Sequence, residues 1–138
     1  MQTDVSDGVG HLVAEGIVDP ERVCVVGYAY GGYVALSGAA RQPSVYRCAV
    51  SVAGFSDPRS FLEWVTHVLA DGRWARRLER FIDAGGAGNA FAPLAAAASI
   101  EVPVMLMHGR DDLIVPFEQS ARTAAALRAR RRTVEMVE

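Results

Sequence analysis

Lysine is missing from this chain. All 14 basic residues are arginine, set against 16 acidic ones, and the formal net charge is only −2. Exclusive use of arginine fits a GC-rich coding source, and so small a net charge points to no partner; nucleic acid is not expected among them. Arg128, Arg130, Arg131 and Arg132 form the only basic cluster along the sequence. It reads as the solvated last turn of a helix, where cations suit the dipole. Cysteine is scarce: Cys24 and Cys48 are too few and too far apart for a zinc site or a redox motif. Both lie in or beside apolar runs and read as buried free thiols. No apolar run approaches the ~18 residues of a membrane span, and Asp4 and Asp7 interrupt any secretory leader. The expectation is a soluble, cytoplasmic protein with no membrane partner. The glycine-rich stretch 85–89 has neither the Lys-Ser/Thr nor the preceding strand of a phosphate cradle. Asp111 and Asp112 have only His108 beside them, so neither cofactor nor metal is expected.

What is present is a globular composition, 51% hydrophobic over 138 residues, enough for about one domain. The chain is organised around Val23-Cys24-Val25-Val26-Gly27-Tyr28-Ala29-Tyr30-Gly31-Gly32-Tyr33. A short β-branched run ends at a glycine, turns through three residues and reaches a glycine pair that opens helix-forming sequence. This is the strand–elbow–helix grammar of G-x-S-x-G. Glycine removes side chains that would collide in so sharp a turn and permits backbone angles other residues resist. At the centre stands Ala29, where the motif requires serine.

Around this elbow the pattern predicts alternating elements. Val5, Val9, Leu12 and Val13 recur at helical spacing over 4–16 and Gly16 stops the helix. Residues 19–21 form a turn, and 22–27 form a strand too apolar to have a wet face, which implies a sheet covered on both sides. A helix over 31–41 lies close to that strand through Ala35, Gly38 and Ala39, and Pro43 ends it. The next strand is 47–53. Asp57 caps and Pro58 starts an irregular helical stretch to 83, with Trp64, Leu69, Trp74, Leu78 and Phe81 as packing residues. Residues 85–89 are a loop and 92–99 a short turn of helix. A third strand spans 102–107, a helix begun by Pro116 spans 117–131, and a fourth strand begins at 133. The alternation predicts a single α/β domain over 1–138, with about four mostly parallel strands flanked by helices and doubly wound.

The elbow resembles the G-x-S-Y-G-G-Y segment of the prolyl oligopeptidase family of serine peptidases, above all its bacterial dipeptidyl-aminopeptidase and acylaminoacyl-peptidase members. The likeness extends to Asp19-Pro20-Glu21-Arg22-Val23, Tyr46-Arg47-Cys48-Ala49, Ala53-Gly54-Phe55-Ser56-Asp57 and Pro103 to Gly109, continuing to Gln119-Ser120. It leaves out only 61–90. The resemblance implies a partial α/β-hydrolase fold and acyl-enzyme hydrolysis of peptide bonds. By the same likeness Ala29 occupies the nucleophile position and the Tyr30 backbone N–H is an oxyanion-hole donor. Asp112 is then the triad acid, with Asp111 the fallback if the loop is offset by one residue.

Three departures from the family pattern shape the expected activity. A methyl group at Ala29 cannot attack a carbonyl. The family's triad histidine falls beyond Glu138, and its second oxyanion donor falls ahead of Met1. His11, His67 and His108 do not replace the base, since His108 matches a structural position, and neither Ser37 nor Cys24 replaces the nucleophile. Losing a triad nucleophile costs about 10⁶ in turnover, so this chain is expected to be inactive. The alternatives are a non-catalytic peptide- or protein-binding pseudoenzyme, a bare fragment, or another α/β-hydrolase such as an esterase. For a binding module, Tyr28, Tyr30, Tyr33 and Phe55 would form an aromatic wall around a peptide ligand; otherwise they pack the elbow helix to the sheet. The edge of strand 22–27 is expected to support self-association.

Overall fold

The computed structural model describes residues 2–84 and 91–138; the loop expected at 85–89 lies outside them. Four strands, β1 (Cys24–Tyr28), β2 (Cys48–Val52), β3 (Val104–Met107) and β4 (Val134–Val137), form one sheet. Every neighbouring pair is parallel, in the order β1-β2-β3-β4. Among the described residues five helices flank it: α1 (Gln2–Ala14), α2 (Tyr30–Arg41), α3 (Pro58–His67), α4 (Gly72–Ala84) and α5 (Glu118–Ala129). The α/β class, the four strands and their parallel sense are as the sequence predicts.

The winding differs from the expectation. Strand order follows chain order without reversal, so each right-handed crossover lays its connection on the same face of the sheet. That face presents Val25, Ala49, Val104, Leu106, Val134 and Met136. It packs beneath Leu36 and Ala39 of α2, Ile100, and Ala124 and Leu127 of α5. The register puts Cys24, Val26 and Tyr28 on the opposite face with Val50, Val52, Met105 and Met107. The described helices leave this second face open: α2 and α5 lie on the first, α1 packs on α2, and α3 on α4. Val26 is 67% exposed and Tyr28 72%. The strand expected to have no wet face therefore has one. An apolar run reports side-chain chemistry on both faces, not whether a layer lies against each.

The cysteines are also corrected. Cys24 and Cys48 are register partners on β1 and β2, 4.7 Å apart between Cα atoms, and joined as a disulfide. They are not free, and Cys24 is exposed on the open face.

Local sequence explains most helix boundaries. The Asp57 carboxylate accepts from the N–H groups of Arg59 (3.2 Å) and Ser60 (3.4 Å), and Pro58 opens α3. The stretch expected as one irregular helix to 83 is two. Ala70 takes a positive φ of 53°, and Asp71 then caps α4 through the N–H groups of Arg73 and Trp74, both at 3.0 Å. Gly16, at φ 71°, follows α1 in the left-handed conformation that favours glycine. The apolar stripe expected on α1 is not buried: Val5 and Leu12 are 41% and 39% exposed. The helix instead docks through Ser6, which is buried and shares a 2.8 Å hydrogen bond with the Tyr46 hydroxyl.

Candidate active-site elbow

β1 ends at Tyr28 and α2 begins at Tyr30, so Ala29 alone makes the turn, at φ 52° and ψ −111°. A non-glycine residue held there stores about 1–3 kcal/mol of strain. Two backbone hydrogen bonds oppose it. The Ala29 N–H donates to the Val52 carbonyl at 2.8 Å, and its carbonyl accepts from the Tyr33 N–H at 3.3 Å. Close approach accounts for two of the three elbow glycines. A β-carbon on Gly27 would lie 2.0 Å from the Gly31 carbonyl oxygen. One on Gly32 would lie 2.6 Å from Ser51 Oγ and 2.9 Å from the Gly54 Cα, so helix and sheet meet glycine against glycine. A β-carbon on Gly31 would meet nothing within 4 Å. The left-handed angle is carried by Ala29, not by these glycines.

The helix α2 starts at the residue immediately after Ala29. The first N–H groups of a helix have no partner within it, and they form the positive end of its dipole. The Tyr30 N–H is the first of them.

The aromatic residues divide. Tyr33 and Phe55 are 6% and 3% exposed, stacked at 4.8 Å, and continued by Phe61 stacked on Phe55 at 4.7 Å. They join α2, α3 and α4 in a second core with Val65, Leu78 and Ile82. The Tyr33 hydroxyl donates to the Phe91 carbonyl at 2.9 Å. Tyr30 is half-buried against Tyr33, Phe55 and Phe81. Burial raises both phenols above the ordinary tyrosine value. Tyr28 points away, onto the open sheet face. The structure thus brings Tyr30, Tyr33 and Phe55 together and leaves Tyr28 apart.

The loop after β3 holds one of its two carboxylates. Asp112 Oδ1 accepts from the N–H groups of Ile114 (2.8 Å) and Val115 (3.0 Å), while Asp111 is exposed. Oδ2 stands 3.6 Å from His108 Nε2. His108 is buried, with Nε2 at 2.9 Å from the Val115 carbonyl and Nδ1 at 2.7 Å from Ser120 Oγ. A carbonyl only accepts, so Nε2 carries a proton; in the neutral ring Nδ1 then accepts from the Ser120 hydroxyl. Both imidazole nitrogens are engaged, which gives His108 the structural position expected of it. His11 and His67 are exposed on α1 and α3, and Ser37 is buried inside α2.

Two features escape a reading by sequence alone. Gln119 is buried, and its Oε1 accepts from the N–H groups of Ser56 (3.0 Å) and Asp57 (2.9 Å), tying α5 to the turn after β2. The arginines of α4 are a second basic cluster, missed because its members are spread along a helix. The cluster at 128–132 is a helix end as expected, with Arg130 donating to the Ala126 carbonyl and Arg132 to that of Ala98.

Comparison with known proteins agrees with this geometry. The dipeptidyl aminopeptidase BIII of Pseudoxanthomonas mexicana is 27% identical over 94% of this chain and 19% of its own length. The chain thus spans about a fifth of the curated relatives it matches. The structure of a puromycin-hydrolyzing peptidase of Mycobacterium tuberculosis superposes with a TM-score of 0.70 at 26% identity, over 95% of this chain and 20% of that one. The acylaminoacyl peptidase of Pyrococcus horikoshii shares the fold, with a TM-score of 0.75 at 21% identity over 99% of this chain and 22% of that one. Among the described residues no helix is long and apolar enough to cross a membrane. The profile of the prolyl oligopeptidase family matches residues 1–138 from end to end, and the chain belongs to that family.

Proposed function

We propose that this chain is the elbow-and-acid portion of a serine peptidase catalytic domain, with the nucleophile position filled by Ala29 and no peptidase turnover of its own. The observation that carries this reading is Ala29 itself, a non-glycine residue at φ 52° between strand and helix. Such strain marks a position where a side chain must be presented at a sharp turn. In an active relative of this arrangement a serine hydroxyl would stand at the Ala29 methyl, and the Tyr30 N–H would meet the oxyanion. Asp112 is the triad acid: its Oδ1 accepts from two backbone N–H groups, which fixes the carboxylate, and its Oδ2, 3.6 Å from His108 Nε2, is the oxygen that would orient the base. Strands β1 and β3 are separated only by β2. At about 4.8 Å per strand, β1 and β3 lie about 10 Å apart, and the elbow and the Asp112 loop leave the same end of the sheet.

The ligand class is peptide, taken at the C-terminal ends of the strands. The Cys24–Cys48 disulfide favours an oxidising compartment over the cytoplasm. The test is turnover of aminoacyl and peptidyl chromogenic substrates by three proteins. They are this chain, its Ala29→Ser variant, and the Ala29→Ser chain extended through the next histidine of its source gene. Activity confined to the extended variant, and abolished there by Asp112→Asn, supports the assignment. Silence from a folded extended variant overturns it. Peptide binding without cleavage by that variant would favour the pseudoenzyme reading.

A further inference from the structure

Helix α4 carries a feature that the catalytic reading does not use. Arg73, Arg76, Arg77 and Arg80 recur at i, i+3, i+4 and i+7, the spacing of one helix face. All four are exposed, while Ala75, Leu78 and Ile82 turn into the core. With Trp74 and Asp71 they line a groove of about 530 Å³. Glu79 and Asp83 lie on the same helix, yet no salt bridge to any of the four arginines forms among the described residues. Like charges at these spacings repel one another along a helix. A ligand that brings negative charge relieves that repulsion.

We propose that this groove binds acidic peptide segments, with carboxylates of an extended chain received by the arginine stripe. From Arg73 to Arg80 the helix rises by about 10 Å, the reach of about three extended residues. That length and the groove's volume suit a chain bearing several carboxylates better than one inorganic anion. Guanidinium forks match carboxylates two bonds at a time, and the half-buried indole of Trp74 gives the groove an apolar wall. Trp74 is itself held edge-on by Phe61 at 5.7 Å. The groove already keeps one carboxylate ionised: Asp71 lies below its ordinary value through the Trp74 N–H first, with the Arg73 N–H and the charges of Arg73 and Arg76 adding to it. The site is separate from the elbow and needs no catalysis, so it stands or falls apart from the peptidase reading.

The test is fluorescence anisotropy of labelled hexaglutamate with the chain as it is. Two variants are compared: Arg76→Gln/Arg77→Gln/Arg80→Gln in the groove, and Arg128→Gln/Arg130→Gln/Arg131→Gln at the other basic cluster. Both change only exposed side chains, and circular dichroism confirms their fold. The groove variant is expected to bind about tenfold more weakly, and the control variant to bind as the parent does. Hexaglutamine is expected not to compete. Equal loss in both variants would reduce the effect to net charge and overturn the site. So would absence of hexaglutamate binding by the parent, or tighter competition by sulfate or by hexathymidylate than by unlabelled peptide.

Discussion

A β-carbon on Gly27 would lie 2.0 Å from the carbonyl oxygen of Gly31, whereas one on Gly31 would meet nothing within 4 Å. Two glycines that look equivalent in the sequence are therefore unequal in the fold. The strand's last turn passes directly under the first turn of α2, and only one partner in that crossing lacks room. Gly27→Ala is expected to cost more than about 4 kcal/mol or to prevent folding, because the atom it adds meets backbone that cannot move aside. Gly31→Ala lies within a helix and is expected to be neutral or to stabilise by up to about 1 kcal/mol. Urea denaturation of both variants reads the difference.

The disulfide offers a second measurement. Cys24 and Cys48 lie 24 positions apart in the sequence, and the segment between them contains the elbow and all of α2. Closing a loop of that size restricts the unfolded chain by about 3 kcal/mol. The Cys24→Ser/Cys48→Ser variant is expected to lose that amount in urea denaturation, and the reduced parent to match it. A parent insensitive to reductant would show that the sulfurs are not joined in solution.

How far the sequence could be read follows from which interactions are local. The elbow was legible because a sharp strand-to-helix turn imposes its glycines within six residues, and the Asp57-Pro58 cap because both of its partners are adjacent. The parallel α/β pattern was legible for the same reason. Register is not local: only the pairing of β1 with β2 brings Cys24 opposite Cys48, so two isolated cysteines in apolar runs read as free thiols. The open face escaped because Val26 and Tyr28 are as apolar as residues covered by a helix. Tyr33 and Phe55 read as packing residues ahead of a binding wall, and their stacking at 4.8 Å within the second core shows them packed. The arginine stripe of α4 was present in the spacing, but treating 58–83 as one irregular helix concealed its phase. The break at Ala70 restores it.

Asp71 supplies a pH test of α4. Its carboxylate lies below the ordinary value, held there first by the Trp74 N–H and then by the Arg73 N–H and the nearby guanidinium groups. A depressed folded value means that the unfolded state binds the proton more readily. The contribution is therefore complete above the unfolded value of 3.8 and is lost as pH falls through the lower folded one. Asp71→Asn retains a capping side chain but cannot titrate. Trp74 fluorescence, read in a Trp64→Phe background, is expected to show α4 loosening in acid for the parent. The asparagine variant should lack that component of the pH dependence, and identical acid profiles would remove Asp71 from the account.

Gln119 tests how the acid-bearing side of the fold is held against the elbow side. Its Oε1 accepts from two backbone N–H groups, those of Ser56 and Asp57, and its Nε2 donates to Ser60 Oγ at 2.8 Å. The Ser56 hydroxyl returns a bond to the Gln119 carbonyl at 2.9 Å, and Thr123 Oγ1 donates to Ser56 Oγ at 2.7 Å. These bonds join α5, which follows the Asp112 loop, to the turn that leaves β2 and starts α3. Removing the acceptor strands two N–H groups that solvent reaches poorly, at about 1–3 kcal/mol each. Gln119→Met keeps the side-chain length and loses the acceptor, while Gln119→Ala also opens a cavity. If the polar ties dominate, both variants fall by about 2–6 kcal/mol in urea denaturation, with alanine only slightly the worse. A methionine variant as stable as the parent would show that packing, not hydrogen bonding, joins the two halves.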